Sequence, residues 1–341
     1  MSTEKLQQVP LVSISCITYN HENYIRDTIE GFLMQKTNFS FEILIHDDAS
    51  TDKTADIIRE YEKKHTDLIF PIYQTVNQYS KEIMISPKFN WPRARGKYMA
   101  ICEGDDYWTD PYKLQKQVDF LERNEEYGLV HTEGDYHYVK NGSKIKNYIL
   151  ETCSINPNKI DNPYEAILRS EYSILTCSVV FRSEMLKELR FDEMSQFRMG
   201  DTFLWLEFIQ KSKFHFFEEN MITRNILIES ASQSNSYENL LKFKKSGYEL
   251  CKYFMKKYVT SDETKRIVHE KFNRVILNYA FLGNNKPEAK KAYEKLKSVN
   301  GKSIALKDKL FYFGSKNQIQ RQLAFVFQYQ LKIWKRIFLK R

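Results

Sequence analysis

Residues 98–108 read YMAICEGDDYW, in which an apolar run is followed at once by an acidic turn. A short, continuous apolar run is typical of a strand that is buried on both faces of a sheet. The turn contributes Glu103, Asp105 and Asp106. Ligands of open α/β sheets collect outside the carboxyl ends of the strands, so these carboxylates indicate a ligand site.

The sequence on the N-terminal side of this stretch alternates apolar runs with helical patterns. The apolar runs occupy residues 11–17, 41–47 and 68–74, and the helical patterns occupy residues 24–35 and 53–64. This alternation predicts a mostly parallel mixed sheet flanked by helices, which is a Rossmann-like α/β architecture. The second run also ends in carboxylates, Asp47 and Asp48, although a turn or a helix N-cap would explain that pair equally well.

The sequence on the C-terminal side begins with a helix and ends in a lysine-rich helical region. Asp110 is predicted to be the N-cap of that first helix, with Pro111 at its first position. A Ser-rich stretch at residues 230–236 is the predicted hinge, and helical spacing prevails beyond it. We therefore predict one domain over residues 1–235 and an α-helical C-terminal region over residues 236–341.

The composition excludes several broad classes of protein. Of the 341 residues, 42% are hydrophobic and 28% are charged, which is typical of a folded globular chain rather than a disordered one. The five cysteines are scattered without a C-x-x-C pair, so neither a zinc knuckle nor a disulfide scaffold is predicted. The polar N-terminus lacks the apolar core of a signal peptide, and we expect a cytoplasmic protein.

The chain also lacks the glycine-rich loops that hold phosphate in many nucleotide-binding sheets. Neither G-x-G-x-x-G nor G-x-x-x-x-G-K-[ST] is present, which argues against dinucleotide oxidoreductases and P-loop NTPases. The strand ends carry carboxylates instead, and carboxylates repel phosphate unless a cation intervenes. Clustered oxygen ligands suit Mn²⁺ or Mg²⁺, which can be shared with substrate phosphates. We therefore predict a divalent cation as the cofactor.

Three sequence blocks together resemble glycosyltransferase family 2, whose members have the GT-A fold. They are SISCITYNHENYIRDTIEGFLMQ at residues 13–35, FEILIHDDASTDKT at 41–54 and ARGKYMAICEGDDYWTDPYKLQKQVDFL at 94–121. The resemblance extends over about residues 10–230. It implies an inverting enzyme that moves a sugar from a nucleotide diphosphate, with UDP favoured, to an acceptor hydroxyl. The implied acceptor is a glycan or lipid-linked glycan in the synthesis of bacterial surface polysaccharide.

The resemblance also implies roles for the residues that bind the donor. Thr18, Tyr19 and Asp48 would hold the nucleobase. Asp105 and Asp106 correspond to the family's acidic element, so that Asp105 would bind nucleotide and both would hold the metal. The nucleotide-binding part would be about residues 1–106, and residues 107–235 would bind the acceptor.

Three further residues are implied by position in the family pattern. Asp201, in FRMGDTFLWLEF at residues 197–208, would be the general base, although the residues alone favour an N-cap for it. Glu103 stands where many members have Asp, and its contact with the metal is left open. Glu103 and Trp108 could line the sugar pocket, although packing explains a tryptophan after such a turn equally well.

The C-terminal tail, residues 320–341, mixes apolar and basic residues without any acidic residue. It could lie as an amphipathic helix on the anionic inner face of the plasma membrane, or it could pack against the catalytic domain. The helical region could also form a homodimer contact. Two alternative functions are a nucleotidyltransferase that makes nucleotide sugars and a basic nucleic-acid-binding protein, and the acidic turns argue against nucleic acid as a partner.

Overall fold

A computed structural model describes residues 9–81, 83–153, 155–227, 236–300 and 304–324. The chain divides into two compact units. The first unit comprises Met1–Gln196 and Gly200–Leu227, and the second comprises Phe197–Met199 and Ile228–Arg341. The predicted hinge lies, apart from Ser236, outside the described residues.

The described part of the first unit contains one mixed sheet of nine strands. The strands are β1 (Val12–Thr18), β2 (Phe41–Asp47), β3 (Ile69–Tyr73), β4 (Tyr98–Ile101), β5 (Tyr107–Trp108), β6 (Tyr127–Tyr138), β7 (Ser143–Ile145), β8 (Val180–Arg182) and β9 (Lys213–Ile226). Their order is β3-β2-β1-β4-β8-β6-β9-β5, and β7 pairs with β6. The neighbours β3, β2, β1 and β4 run parallel, so the carboxyl ends of β1, β2 and β4 lie at the same edge.

Helices flank this sheet and form the described part of the second unit. Those of the first unit are α1 (Ile25–Leu33), α2 (Thr54–Lys64), α3 (Lys113–Arg123), α4 (Tyr148–Thr152), α5 (Pro163–Leu168), α6 (Phe191–Met194) and α7 (Gly200–Phe208). Those of the second unit are α8 (Tyr237–Lys257), α9 (Asp262–Leu282), α10 (Lys286–Asn300) and α11 (Leu306–Gly314). The predicted α/β sheet and the α-helical C-terminal region are thus confirmed.

The predicted start of α3 was wrong by two residues. The helix begins at Lys113 rather than at Pro111. Asp110 caps the preceding turn, because its Oδ1 accepts the backbone N–H of Tyr112 at 2.7 Å while its Oδ2 pairs with Lys116 at 2.9 Å. Pro111 therefore precedes the helix instead of opening it.

Strand β9 pairs with β6 in parallel, and its register shifts along the way. Thr132 pairs with Phe217, whereas Gly134 pairs with Ile222, so β9 has three extra residues over this interval. Successive side chains of a strand point to opposite faces, and an odd number of extra residues therefore reverses the face that each later residue presents. This reversal determines which β9 side chains reach the acidic turn.

Helices α8 and α9 of the second unit are capped by serines and joined by a partly buried polar contact. Ser236 caps α8 and Ser261 caps α9, each accepting an N–H of the first turn. Between these helices the hydroxyl of Tyr248 lies 2.7 Å from Nδ1 of His269. None of the described helices is both long and apolar enough to cross a membrane.

Candidate active site

The acidic turn after β4 is fixed against β1 and α1. The backbone N–H of Gly104 donates to the carbonyl of Ile17 at 2.9 Å. The hydroxyl of Thr28 donates to the carbonyls of Gly104 and Asp106 at 3.0 and 2.7 Å. A Cβ at Gly104 would lie 2.5 Å from Oγ1 of Thr18, so only glycine permits this close approach.

The carboxylates of the turn have different surroundings. Asp106 is only 4% exposed, and its Oδ1 accepts the backbone N–H of Asn225 at 2.8 Å. Burial, and then the charge of Asp105, raise the pKa of Asp106 well above its usual range. Among the described residues, no hydrogen bond or ion pair engages the carboxylate of Asp105. Asp105 is therefore the carboxylate of this pair that is open to a ligand.

Glu103 connects the turn electrostatically to a residue far along the chain. Burial, then Asp105, raise the pKa of Glu103 to about 7, and Asp201 raises it further while Arg224 lowers it. Asp201 therefore lies near the acidic turn in space, although nearly a hundred residues separate the two in sequence. The fold therefore brings Asp201, the predicted general base, close to the turn that carries the predicted metal ligands.

Asp201 lies in the first turn of α7. Its Oδ2 accepts the hydroxyl of Thr176 at 3.2 Å, and its Oδ1 accepts the backbone N–H of Thr202 at 2.6 Å. Since α7 already begins at Gly200, Asp201 is inside the helix and is not its N-cap. The side chain is exposed, so a substrate could reach it.

Thr18 and Asp48 meet at the neighbouring ends of β1 and β2. The backbone N–H of Asp48 donates to the carbonyl of Thr18 at 3.0 Å. The two carboxylate oxygens of Asp48 accept the backbone N–H groups of Gln78 and Tyr79 at 2.8 and 2.9 Å. Asp48 thus holds the loop after β3 and is not the N-cap of α2, whereas Tyr19 beside it is 44% exposed.

The acidic turn suits a hard cation that is shared with a ligand. Its side chains offer only oxygen ligands, and the pKa values of Glu103 and Asp106 are raised first by burial and then by the neighbouring charge of Asp105. Within the described ranges, no three acidic, histidine or cysteine side chains converge as a complete metal site. Mg²⁺ and similar cations are commonly held by one or two carboxylates plus substrate phosphates, so the residues present fit such a cation.

A comparison with protein families identifies the chain. Residues 13–188, just over half of the chain, match the family model described as glycosyl transferase family 2. The chain belongs to glycosyltransferase family 2. Membership is also supported by the E. coli enzyme UDP-Glc:alpha-D-GlcNAc-diphosphoundecaprenol beta-1,3-glucosyltransferase WfaP, which is 30% identical over 202 residues, 59% of this chain and 71% of WfaP.

Other curated relatives match over a smaller share of their length. An uncharacterized protein of Mycobacterium tuberculosis is 48% identical over 117 residues, which is 34% of this chain and 32% of that protein. The chain thus matches about a third of the length of such relatives. The activity of the whole protein is therefore left to be proposed.

Solved structures show that this family 2 chain has the GT-A fold. S. aureus TarS 1–349 in complex with UDP-GlcNAc superposes with a TM-score of 0.54 at 16% identity, over 89% of this chain and 79% of TarS 1–349. The mannosyltransferase PcManGT of Pyrobaculum calidifontis, in complex with GDP-Man and Mn²⁺, gives a TM-score of 0.52 at 14% identity over 97% of this chain and 88% of PcManGT.

The structure corrects the interpretation of Trp108 in this family 2 chain. Trp108 is only 2% exposed, its ring packs edge-on against Phe32, and its Nε1 donates to the carbonyl of Cys177 at 2.8 Å. The amino group of Lys113 lies 4.2 Å from the ring centroid. A residue enclosed in this way cannot line an open sugar pocket, and we assign Trp108 to core packing.

This assignment predicts the effect of replacing Trp108 by phenylalanine. The Trp108→Phe variant is expected to unfold with a free energy about 1–3 kcal/mol lower, because the carbonyl of Cys177 loses its donor and a gap remains. Urea titration followed by circular dichroism measures this loss. The affinity for the nucleotide-sugar donor should stay unchanged. A variant with normal stability but weaker binding of that nucleotide sugar would contradict the assignment.

Two functional candidates on β9 carried no motif and were not predicted from the sequence. Arg224 donates to the hydroxyl of Tyr136 at 2.8 Å and lies over its ring, and its charge favours the ionised forms of Glu103 and Asp106. Asn225 binds both aspartates of the turn. The register of β9, which is set by its pairing with the distant strand β6, brings these residues to the site.

Proposed function

We propose that this family 2 member is an inverting glycosyltransferase that moves a sugar from a UDP-sugar to an acceptor hydroxyl. The proposed acceptor is a glycan or lipid-linked glycan of bacterial surface polysaccharide. The observation that carries the proposal is the meeting of the acidic turn with Asp201 beside the strand ends that hold Asp48. A donor site and a proton acceptor in one neighbourhood are what direct transfer requires.

Donor binding is assigned to the ends of β1 and β2. The exposed ring of Tyr19 offers a face on which a base can stack, and Asp48 and Thr18 lie beside it. A carboxylate can accept the imide N–H of uracil, and its bonds to Gln78 and Tyr79 still leave it acceptor capacity. WfaP is named for UDP-Glc as its donor, and the TarS 1–349 structure is a complex with UDP-GlcNAc, which supports UDP as the nucleotide.

Asp105 and Asp106 are the proposed ligands of a divalent cation, with Glu103 beside them. A cation bound there supplies Lewis-acid stabilisation of the negative charge that develops on the departing diphosphate. Mn²⁺ or Mg²⁺ is proposed because the donors are hard oxygens, and the PcManGT complex with GDP-Man contains Mn²⁺. The role of Asp105 in binding the ribose follows from the family pattern and is part of the same proposal.

Asp201 is the proposed general base. As the acceptor hydroxyl attacks the anomeric carbon, its proton passes to the carboxylate of Asp201 while the bond from that carbon to the diphosphate oxygen breaks. Attack opposite the leaving group in a single displacement inverts the anomeric centre. Thr176 and the N–H of Thr202 hold the carboxylate in place, and its exposure leaves it accessible to an acceptor.

The two parts of the catalytic domain have separate proposed roles. We propose nucleotide binding by about residues 1–106 and acceptor binding by residues 107–235. Most of the amphipathic tail, residues 325–341, lies outside the described residues. Its contact with an anionic membrane, the cytoplasmic and peripheral location and a homodimer remain predictions.

A thermal-shift screen tests the proposed donor class. Because a ligand that binds the native state raises the melting temperature, UDP with Mn²⁺ is expected to raise it by several degrees. UDP or Mn²⁺ alone should give a smaller shift, and CMP and NAD should give none. GDP and dTDP are included with and without Mn²⁺ to compare nucleotides.

The other outcomes of the screen separate parts of the proposal. A metal-dependent shift with GDP but not with UDP would mean that GDP is the nucleotide of the donor, and the proposed transferase mechanism would stand. A shift with NAD that needs no metal would contradict the proposed function.

A further inference from the structure

Asn225 on β9 makes three polar contacts that join β6 to the acidic turn. Its backbone N–H donates to Oδ1 of Asp106 at 2.8 Å, and its side-chain Nδ2 donates to the carbonyl of Asp105 at 2.6 Å. Its Oδ1 lies 2.9 Å from Nδ1 of His137 on β6. Asn225 itself is buried. The residue therefore contacts both carboxylate-bearing positions of the turn at once.

These contacts determine the orientation of the side chains involved. The carbonyl oxygen of Asp105 can only accept, so the amide atom that faces it must be Nδ2 of Asn225. The amide oxygen of Asn225 then faces His137 and can also only accept. Nδ1 of His137 must therefore carry the hydrogen. His137 thus donates to the amide oxygen of Asn225, and the amide N–H of Asn225 donates to the carbonyl of Asp105.

The irregular register of β9 makes this arrangement possible. An uninterrupted pairing that continued from Thr132 and Phe217 would place Ile222 opposite His137, and isoleucine has no polar group to offer. The three extra residues of β9 place Asn225 opposite His137 instead. β-Bulges commonly redirect a side chain next to a functional site.

We propose that Asn225 is a positioning residue that sets the affinity of the acidic turn for a divalent cation, and that His137 holds Asn225 in place. The inference rests on the proposed function, because the cation is the one that the nucleotide site would use. Two neighbouring carboxylates repel each other when both are ionised, and an untethered turn would relax by moving Asp105 and Asp106 apart. Asn225 prevents that relaxation by holding the backbone of one and the carboxylate of the other.

The direct test is the Mn²⁺ affinity of an Asn225→Ala variant in the presence of UDP. Free Mn²⁺ is measured by electron paramagnetic resonance, which requires no turnover. Loss of a residue that orients metal ligands typically weakens metal binding about 10- to 100-fold, and we expect a loss of at least about tenfold here. Circular dichroism spectra and melting curves verify that the variant is folded.

Variants of His137 test the second part of the proposal. An asparagine side chain can present an N–H close to the position of Nδ1, so His137→Asn should keep Mn²⁺ affinity near that of the wild type. His137→Ala lacks the donor and should bind Mn²⁺ about three- to tenfold more weakly. Equal affinities in these two variants would overturn the role of His137.

Asn220→Ala is the matched control. Asn220 is also on β9, and its amide donates to the carboxylate of Asp135 and to Oδ1 of Asn147, whereas no hydrogen bond among the described residues joins it to the acidic turn. We expect wild-type Mn²⁺ affinity in this variant. Unchanged affinity in folded Asn225→Ala, or equal losses in both variants, would overturn the inference. Wild-type protein that binds UDP but takes up no Mn²⁺ in its presence would contradict the proposed cation itself.

Discussion

Replacing Asp201 by asparagine is expected to lower the turnover number of sugar transfer by about 10²- to 10⁴-fold. Asparagine keeps the shape of the side chain, its oxygen can accept the N–H of Thr202, and its amide N–H can donate to the hydroxyl oxygen of Thr176, but it cannot take the proton of the acceptor hydroxyl. The KM for the donor should stay near its wild-type value, because no donor contact is assigned to Asp201. Steady-state kinetics with saturating donor and acceptor measure both quantities.

An exposed acid in the first turn of another helix provides the control. Asp192 on α6 is in such a position, and its carboxylate pairs with Arg190. The Asp192→Asn variant should keep wild-type turnover, which would show that losing a helix-terminal charge is not the cause. Normal turnover in an Asp201→Asn variant that binds the donor would overturn the assignment of the base.

Replacing Asp105 by asparagine is expected to abolish the thermal shift caused by UDP with Mn²⁺ and to lower transfer at least about 100-fold. Asparagine retains an oxygen but loses the charge that attracts the cation. The protein itself should be no less stable, because no hydrogen bond or ion pair engages this carboxylate among the described residues and its charge repels Glu103 and Asp106. Melting temperatures with and without UDP and Mn²⁺ separate the two effects.

Asp110 supplies the matched control for this variant. It is close in sequence to Asp105, and its carboxylate is engaged by the N–H of Tyr112 and by Lys116. Asp110→Asn should melt slightly earlier than the wild type and should keep the full shift with UDP and Mn²⁺. An Asp105→Asn variant that keeps this shift would contradict the role of Asp105 in binding the cation.

Apolar runs in the sequence predict the first half of the sheet and the position of the acidic turn. The strand predicted at residues 41–47 matches β2, and the apolar run that ends at the acidic turn matches β4. All of these two strands except Phe41 is buried, so their apolar composition alone indicates a strand. The parallel arrangement then places the acidic ends together, because all carboxyl ends of such strands share one edge.

The second half of the sheet was not predicted. The strands β6 and β9 are long and mixed in composition, and β8 is short. Their pairing depends on partners that are distant in sequence and on the bulges of β9, neither of which leaves a periodic signal. The contacts of Arg224 and Asn225 were therefore not predicted, and the sequence left Trp108 equally between a sugar pocket and the core, where the structure places it.

The sequence by itself determined the family, the α/β class, the helical C-terminal region and the identity of the acidic residues, since these depend on short motifs and on local periodicity. The tertiary structure alone decided which carboxylates are open and which are engaged. Asp105 is unengaged among the described residues, whereas Asp106 and Asp48 accept backbone N–H groups. A residue's hydrogen-bond partners, exposure and pKa depend on neighbours brought together by long-range packing, and local sequence does not specify those neighbours.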